Sequence, residues 1–294
     1  MGVQPDFGPG LPEGCKGKID LLFVIARNGT MLTEQQQLLA SLPGFIKTIE
    51  ETFADFDTHT IVANPDGLWS GEFCESFNQC GKNGNCGPNA MEYQCYGDYM
   101  VEPCDITLGA GLLYNAGPFA TNHICELYGG RRYIIPGQPN LAEAFTCIAK
   151  IGVTSPISPL GDALVAAVSD KINGAGGCNE GFLRKDALLV VTLITDHEDE
   201  DSKTSPAAWY DAVVAAKGGD PNAVVALAIT PQPFVDEWLP NCTYNDLGYP
   251  LKFEDLIEMF PYHAEGDPCA ATYAPFFADA VSLVAEACDS YIPQ

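Results

Sequence analysis

Short, nearly unbroken apolar runs alternate along this chain with stretches where apolar residues return every third or fourth position. Ile19 to Ile25, His59 to Ala63, Leu188 to Thr195 and Ala223 to Ile229 are runs of the first kind. Strands covered by helices on both faces read this way. After the first run, Leu38, Leu42, Phe45, Ile46, Ile49 and Phe53 share one face of a helix. Thr33-Glu34-Gln35-Gln36 reads as its capping box, the Thr33 hydroxyl accepting the third residue's N–H while Gln36 reaches back. A helix from Leu141 to Lys150 turns Phe145 and Ile148 inward, and another spans Trp209 to Lys217. A closing helix opens near Pro275 and presents Phe277, Val281, Val284 and Cys288 on one side. Arg132 to Ile135 adds a short candidate strand. Strand–helix alternation with buried strands predicts an α/β fold: a doubly wound, mostly parallel central sheet flanked by helices.

Two stretches break the alternation. From residue 67 to about 135 there is no helical or strand period, but there are Cys74, Cys80, Cys86, Cys95, Cys104 and Cys125 with many Gly and Asn. This reads as a disulfide-stapled insertion whose aromatics, Trp69, Phe73, Phe77, Tyr93, Tyr96 and Tyr99, fill a small core of their own, the alternative being that they line a recognition surface. From Thr230 to about Pro268 the chain is polar and Pro-containing, which fits an Omega-like loop or a small subdomain. The expected organisation is an irregular lead-in over 1–17 and one domain over 18–290, interrupted by the insertion over 67–131.

Composition narrows the partners. With 14 Lys+Arg against 39 Asp+Glu the formal charge is −25. Such a polyanion is repelled by nucleic acid and by anionic membranes, and no run reaches membrane-spanning length. The twelve cysteines form an even set without a Cys-x-x-Cys pair. That argues for disulfides in an oxidising compartment rather than zinc, with Cys15–Cys288 and Cys242–Cys269 as preferred pairs. Met1-Gly2-Val3 leads into a Pro/Gly-rich segment without an apolar signal core. The chain is therefore expected as a mature exported form, secreted, periplasmic or on the cell surface.

Candidate chemistry gathers where the strands end. Ile25-Ala26-Arg27-Asn28-Gly29-Thr30-Met31 follows the first strand, and Ser158-Pro159-Leu160-Gly161-Asp162-Ala163-Leu164 opens a helix. Asp196-His197-Glu198-Asp199-Glu200-Asp201 follows the strand that ends at Thr195, after a Gly181-Phe182-Leu183-Arg184 lead. These segments resemble the three metal-binding loops of von Willebrand factor A domains, in particular a branch found in exported proteins of myxobacteria. The resemblance covers roughly 18–64 and 132–290. It implies a divalent cation, Ca²⁺ or Mg²⁺, held by Asn28, Thr30, Ser158 and Asp196, with Glu198 and Asp199 completing the shell. Ala26 stands where the family carries an Asp, so the implied site is degenerate. Arg27, next to it, is expected to reach the cation's place and pair with Asp196. The simpler alternative at the second segment is that Ser158 or Asp162 caps the helix.

The function expected from these residues is binding of a protein or small ligand at the sheet's carboxyl edge, with a cation taking a partner's carboxylate. The alternative is a metal-dependent hydrolase of esters or phosphoesters using cation-bound water, with His197 or Glu198 as base. His59, His123, His197 and His263 show no zinc spacing, and neither a Gly-x-Ser-x-Gly elbow nor a phosphate-cradling Gly-Lys-Ser/Thr loop occurs.

Overall fold

A computed structural model describes residues 15, 17–67, 102–115, 119–153, 155, 157–231 and 252–291. Five parallel strands form one sheet: β1 (Lys18–Ile25), β2 (Asp57–Ala63), β3 (Leu188–Ile194), β4 (Val224–Ile229) and β5 (Tyr262–Gly266). Their order is β2-β1-β3-β4-β5. Every residue of β3 and β4 is buried, and so is β1 after Ile19, which is why these strands read as apolar runs. The chain leaves β1 toward β2 on one side and later returns to place β3 on the other. The switch in direction therefore falls between the carboxyl ends of β1 and β3, where ligands bind in open α/β sheets.

Helices cover both faces. On one, α1 (Leu32–Thr52) packs against α2 (Leu141–Ala149) and the closing helix. The Phe23 ring of β1 sits 4.9 Å from that of Phe145 and 6.2 Å from that of Phe45, and Phe45 lies 4.6 Å from Phe277. On the other face are α3 (Leu160–Ala167), followed by the short α4 (Asp170–Asn173), then α5 (Pro206–Ala216) and α6 (Lys252–Ile257). Gly161 lets α3 meet α5: a Cβ there would lie 2.0 Å from Trp209 Cε2. The closing helix, α7 (Ala274–Ser290), lies against β4 and β5.

Several expectations are corrected. The Thr33 capping box does not form: a 3-10 turn over Gly29–Met31 leads straight into α1, whose N-cap is Met31 without a side-chain cap. Arg132 to Ile135 is not a strand but one antiparallel bridge, with Ile134 exchanging two backbone hydrogen bonds with Thr60 on the outer edge of β2. Its neighbour Arg132 is buried and drawn to Asp105 instead. The region after β4 is neither an Omega loop nor a subdomain in its described part, since it supplies α6 and the edge strand β5 to the main fold.

Disulfides tie the periphery to this core. Cys15–Cys288 joins the lead-in to α7, as expected. Cys104–Cys178 and Cys125–Cys147 fasten the described part of the insertion to the main domain rather than to itself, and Leu112 and Cys125 belong to the main core. Among the described residues no cysteine is free. Cys269 is disulfide-bonded, and Cys242, with the insertion's aromatics, lies outside the described residues.

The Gly-Phe-Leu-Arg lead has a structural task at the opposite, amino end of the sheet. Arg184 Nε donates to Asp20 Oδ1 at 2.8 Å and its backbone N–H to Asp20 Oδ2 at 2.7 Å, while Nη2 reaches the carbonyls of Ile19 and Asp57. Burial raises the Asp20 carboxyl to about 6 despite this guanidinium. Lys217 Nζ closes the same corner by donating to the Arg184 carbonyl at 2.6 Å.

Candidate functional site

The three segments singled out in the sequence do converge at the carboxyl edge. Ser155 N–H donates to the Arg27 carbonyl at 2.9 Å, and Arg27 N–H donates to Ser158 Oγ at 3.3 Å. Ser158 N–H in turn donates to Asp201 Oδ2 at 2.7 Å, which links the second loop to the third. Asp196 N–H donates to Met31 Sδ at 3.1 Å, and the Asn28 amide Nδ2 lies 2.8 Å from His197 Nε2, which links the third loop to the first. Gln35, buried in the first turns of α1, seals the assembly with one amide group donating to the carbonyls of Ala26 and Gly152.

The acidic run is spent largely on backbone amides. Asp199 accepts from the N–H groups of Asp201, Ser202 and Gly161 and from the Ser202 hydroxyl, so it caps the start of α3 from a different loop. Carboxylates favour that position because the first-turn N–H groups lack helical partners and carry the positive end of the helix dipole. Glu198 Oε2 accepts the Lys252 N–H at 3.0 Å, at the first residue of α6, and Lys252 Nζ donates to the Asp199 carbonyl. Asp162 accepts the N–H groups of Lys203 and Thr204 instead of capping its own helix, and Ser158 makes no side-chain cap either. Burial raises the Glu198 carboxyl to about 7.

His197 lies at the centre. Its Nδ1 is 2.8 Å from Asp196 Oδ1 and 3.3 Å from Thr195 Oγ1. The Nδ1 proton goes to the carboxylate, which leaves Nε2 to accept from the Asn28 amide. Hydrogen bonding to Asp196 raises the imidazole pKa above its ordinary value, and the charges of Asp196, Asp201 and Glu200 add to the effect against the opposing burial. Asp196 is 3 % exposed, whereas the imidazole is about one-third open to solvent at 32 %.

Of the expected ligands, Asn28, Ser158, Asp196, Glu198 and Asp199 sit on these converging loops, and Thr30 is exposed on the turn into α1. Arg27 does not pair with Asp196. Its buried guanidinium turns to Asp66 beyond β2, with Nε 3.5 Å from Oδ2. Among the described residues, no three His, Cys, Asp or Glu side chains cluster as a metal-ligand set. Asp199 has four donors, Glu198 Oε2 takes the Lys252 N–H and Ser158 Oγ accepts an amide proton. Asn28 Oδ1 and Glu198 Oε1 are nevertheless buried without a hydrogen bond, and Asp196 Oδ1 has only the His197 ring beside it, so three oxygens of the kind that Ca²⁺ or Mg²⁺ takes are left uncommitted.

Sequence reasoning missed Glu34 and Tyr273. Glu34 falls within the expected capping box, yet it is 2 % exposed with Oε2 buried and unbonded. Burial raises its carboxyl to about 7, and the Asp196 charge adds to that. Tyr273, at the start of α7, is raised first by burial and then by the charges of Glu34, Asp267 and Asp196. A polar pair buried at two helix starts has no signature in a one-dimensional pattern.

Comparison with known proteins adds little. No family model matches the chain, and no curated protein matches it. Among solved structures it is similar to proximal thread matrix protein 1 from the mussel byssus, in two crystal forms. The TM-score is 0.41 in both, with 14 % and 13 % sequence identity over 94 % and 92 % of this chain. The chain spans 47 % and 46 % of those chains, less than half their length.

Proposed function

We propose that this protein is an exported binding module of the von Willebrand factor A type, which recognises a protein or small ligand at the carboxyl edge of its sheet. The observation that carries this reading is the convergence of the loops after β1, before α3 and after β3 into one hydrogen-bonded surface at the topological switch point. Exposed Thr30, Glu200 and Asp201 and the partly open His197 form its outer face. The disulfides support an oxidising compartment, and no described helix is long and apolar enough to cross a membrane. Selection from a displayed random-peptide library tests the reading. Parent protein is the bait, and a Thr30→Arg, Glu200→Arg variant is the counter-bait. Peptides held by the parent and released by the variant support it; peptides held equally by both overturn it.

A second reading, hydrolysis of esters or phosphoesters, draws on the Asp196–His197 pair, whose 2.8 Å spacing is that of a general base beside a carboxylate. A base at Nε2 needs its lone pair free, and the Asn28 amide occupies that nitrogen. Turnover of a chromogenic ester panel, abolished by His197→Ala, would favour hydrolysis over binding.

A further inference from the structure

The geometry points to Glu34 as the carboxylate that serves a divalent cation at the carboxyl edge in place of the one Ala26 lacks. What such a cation would take from a partner rests on the binding-module reading; the source of its countercharge does not. Glu34 is the third residue of α1, and Met31 is that helix's N-cap. Side chains at those two positions adjoin one another. Met31 Sδ accepts the Asp196 N–H at 3.1 Å, so the first turn of α1 lies beside Asp196. Gln35 fastens the same turn to the end of β1, through its 3.0 Å hydrogen bond to the Ala26 carbonyl. Glu34 therefore brings an acid to this end of β1 from the helix, where the resemblance implies one on the strand.

The oxygens gathered here lack donors. Glu34 Oε2, Asn28 Oδ1 and Asp196 Oδ1 are all buried without a hydrogen bond. Glu34 is 2 % exposed and Asp196 3 %, and the two are close enough for the Asp196 charge to act on the Glu34 carboxyl. Carboxylates so buried repel each other unless a cation joins them. Among the described residues, the edge's cationic side chains are engaged elsewhere. Arg27 is turned to Asp66, and Lys252 Nζ donates to the Asp199 carbonyl. His197 accepts from the Asn28 amide at Nε2, so its ring has one proton and no charge to set against Asp196. Glu198 Oε1 is buried and unbonded too, but the Lys252 charge already answers that carboxylate. Hard cations take carboxylate and amide oxygens, with water in the remaining places. Their attraction to a carboxylate acts across a bound water as well as through direct contact, so the role requires a charge near the ion and no third clustered acid.

The test is thermal unfolding at about pH 8, in chelator and then with Ca²⁺, Mg²⁺ or Mn²⁺ at matched ionic strength, with calorimetry for the Kd. It uses the parent, Glu34→Gln, Glu34→Met and Asp196→Asn. With at least one of the cations at about a hundredfold its Kd, the parent should gain about 5 °C. In chelator Glu34→Gln should melt at or above the parent, because a repulsion is removed. With the cation it should gain at most about half as much as the parent, its Kd weakened at least about tenfold. A merely structural role for Glu34 would shift both conditions equally. Glu34→Met leaves no polar atom to bury and serves if the glutamine is not tolerated, with the same expected loss. Asp196→Asn should lose the gain as well.

A parent indifferent to all three cations would overturn the inference, its buried oxygens then being met by water alone. Cation gains as large in Glu34→Gln and Glu34→Met as in the parent would also overturn it, and so would a parent gain that survives in Asp196→Asn, since the cation would then lie elsewhere. Library selection can be run in chelator as well as with the cation, so failure of the binding reading remains separately visible.

Discussion

Glu34→Gln is the substitution whose effect can be worked out most fully. Glu34 lies in the first turn of α1, where the helix dipole favours a negative charge, and this helps a buried acid to be tolerated. Burial and the Asp196 charge nevertheless move its carboxyl from an ordinary 4.5 to about 7. Because the folded-state pKa lies above the unfolded one, the folded protein binds the extra proton. The associated stability is fully present below pH 4.5 and is lost as pH rises through about 7. At about 1.36 kcal/mol for each pH unit the full loss would be about 3 kcal/mol. Relaxation of a site with an effective dielectric well above that of dry protein reduces it to roughly 1–2 kcal/mol. A glutamine at this position carries no charge at any pH and keeps the shape, at the cost of an amide N–H₂ buried where Oε2 has no partner. Relative to the parent, Glu34→Gln should therefore be neutral or destabilised at about pH 4.5 and gain roughly 1–2 kcal/mol by about pH 8. Urea unfolding followed by far-UV circular dichroism at a series of pH values reads this as a difference in midpoints at constant m. A parent–variant difference that stays the same across that range would refute the assignment of a raised pKa to Glu34.

Other expectations follow from the same structure. Removing the Cys15–Cys288 bridge as the double Ser variant should cost about 2–4 kcal/mol, read as a lower denaturant midpoint without change of fold by circular dichroism. Arg184→Met should destabilise by about 3 kcal/mol, because it strands the buried Asp20 carboxylate; without the guanidinium Asp20 protonates at a higher pH than in the parent, so the deficit should shrink as pH falls toward about 6 and level off below it, and a pH-independent deficit would show that packing dominates. Gln35→Leu should cost about 1–3 kcal/mol by leaving the Ala26 and Gly152 carbonyls unbonded, and amide exchange should accelerate in the loops they belong to. Gly161→Ala should cost at least about 2 kcal/mol, since the added methyl meets the Trp209 ring.

The parts of the fold that can be read from sequence are those whose burial is two-sided. β1, β3 and β4 are legible because helices leave no polar face on them. β5 is not: Tyr-His-Ala-Glu-Gly is an edge strand with mixed exposure and no apolar run, so it reads as loop. At the site, the positions of Asn28, Ser158 and Asp196 are legible because each follows or precedes a recognisable element. Their partners are not. The amides that Asp199 and Asp201 cap belong to residues about forty positions earlier, and Asp66, which takes Arg27, stands beyond a different strand. A run of five carboxylates looks like a cation site until the N–H groups that neutralise it are brought beside it by the fold.

The central claim, that the carboxyl edge is the binding surface, is tested most directly by measuring the affinity of a library-selected peptide for three proteins side by side. These are the parent, Thr30→Arg with Glu200→Arg on the outer face of the edge, and Lys171→Glu, an exposed change on α4 beyond the far end of α3. Calorimetry should show the edge variant weakened by at least about tenfold, or about 1.4 kcal/mol, and Lys171→Glu within about twofold of the parent. Equal affinity of the edge variant and the parent, with loss in Lys171→Glu, would contradict the account and move the binding surface off the edge.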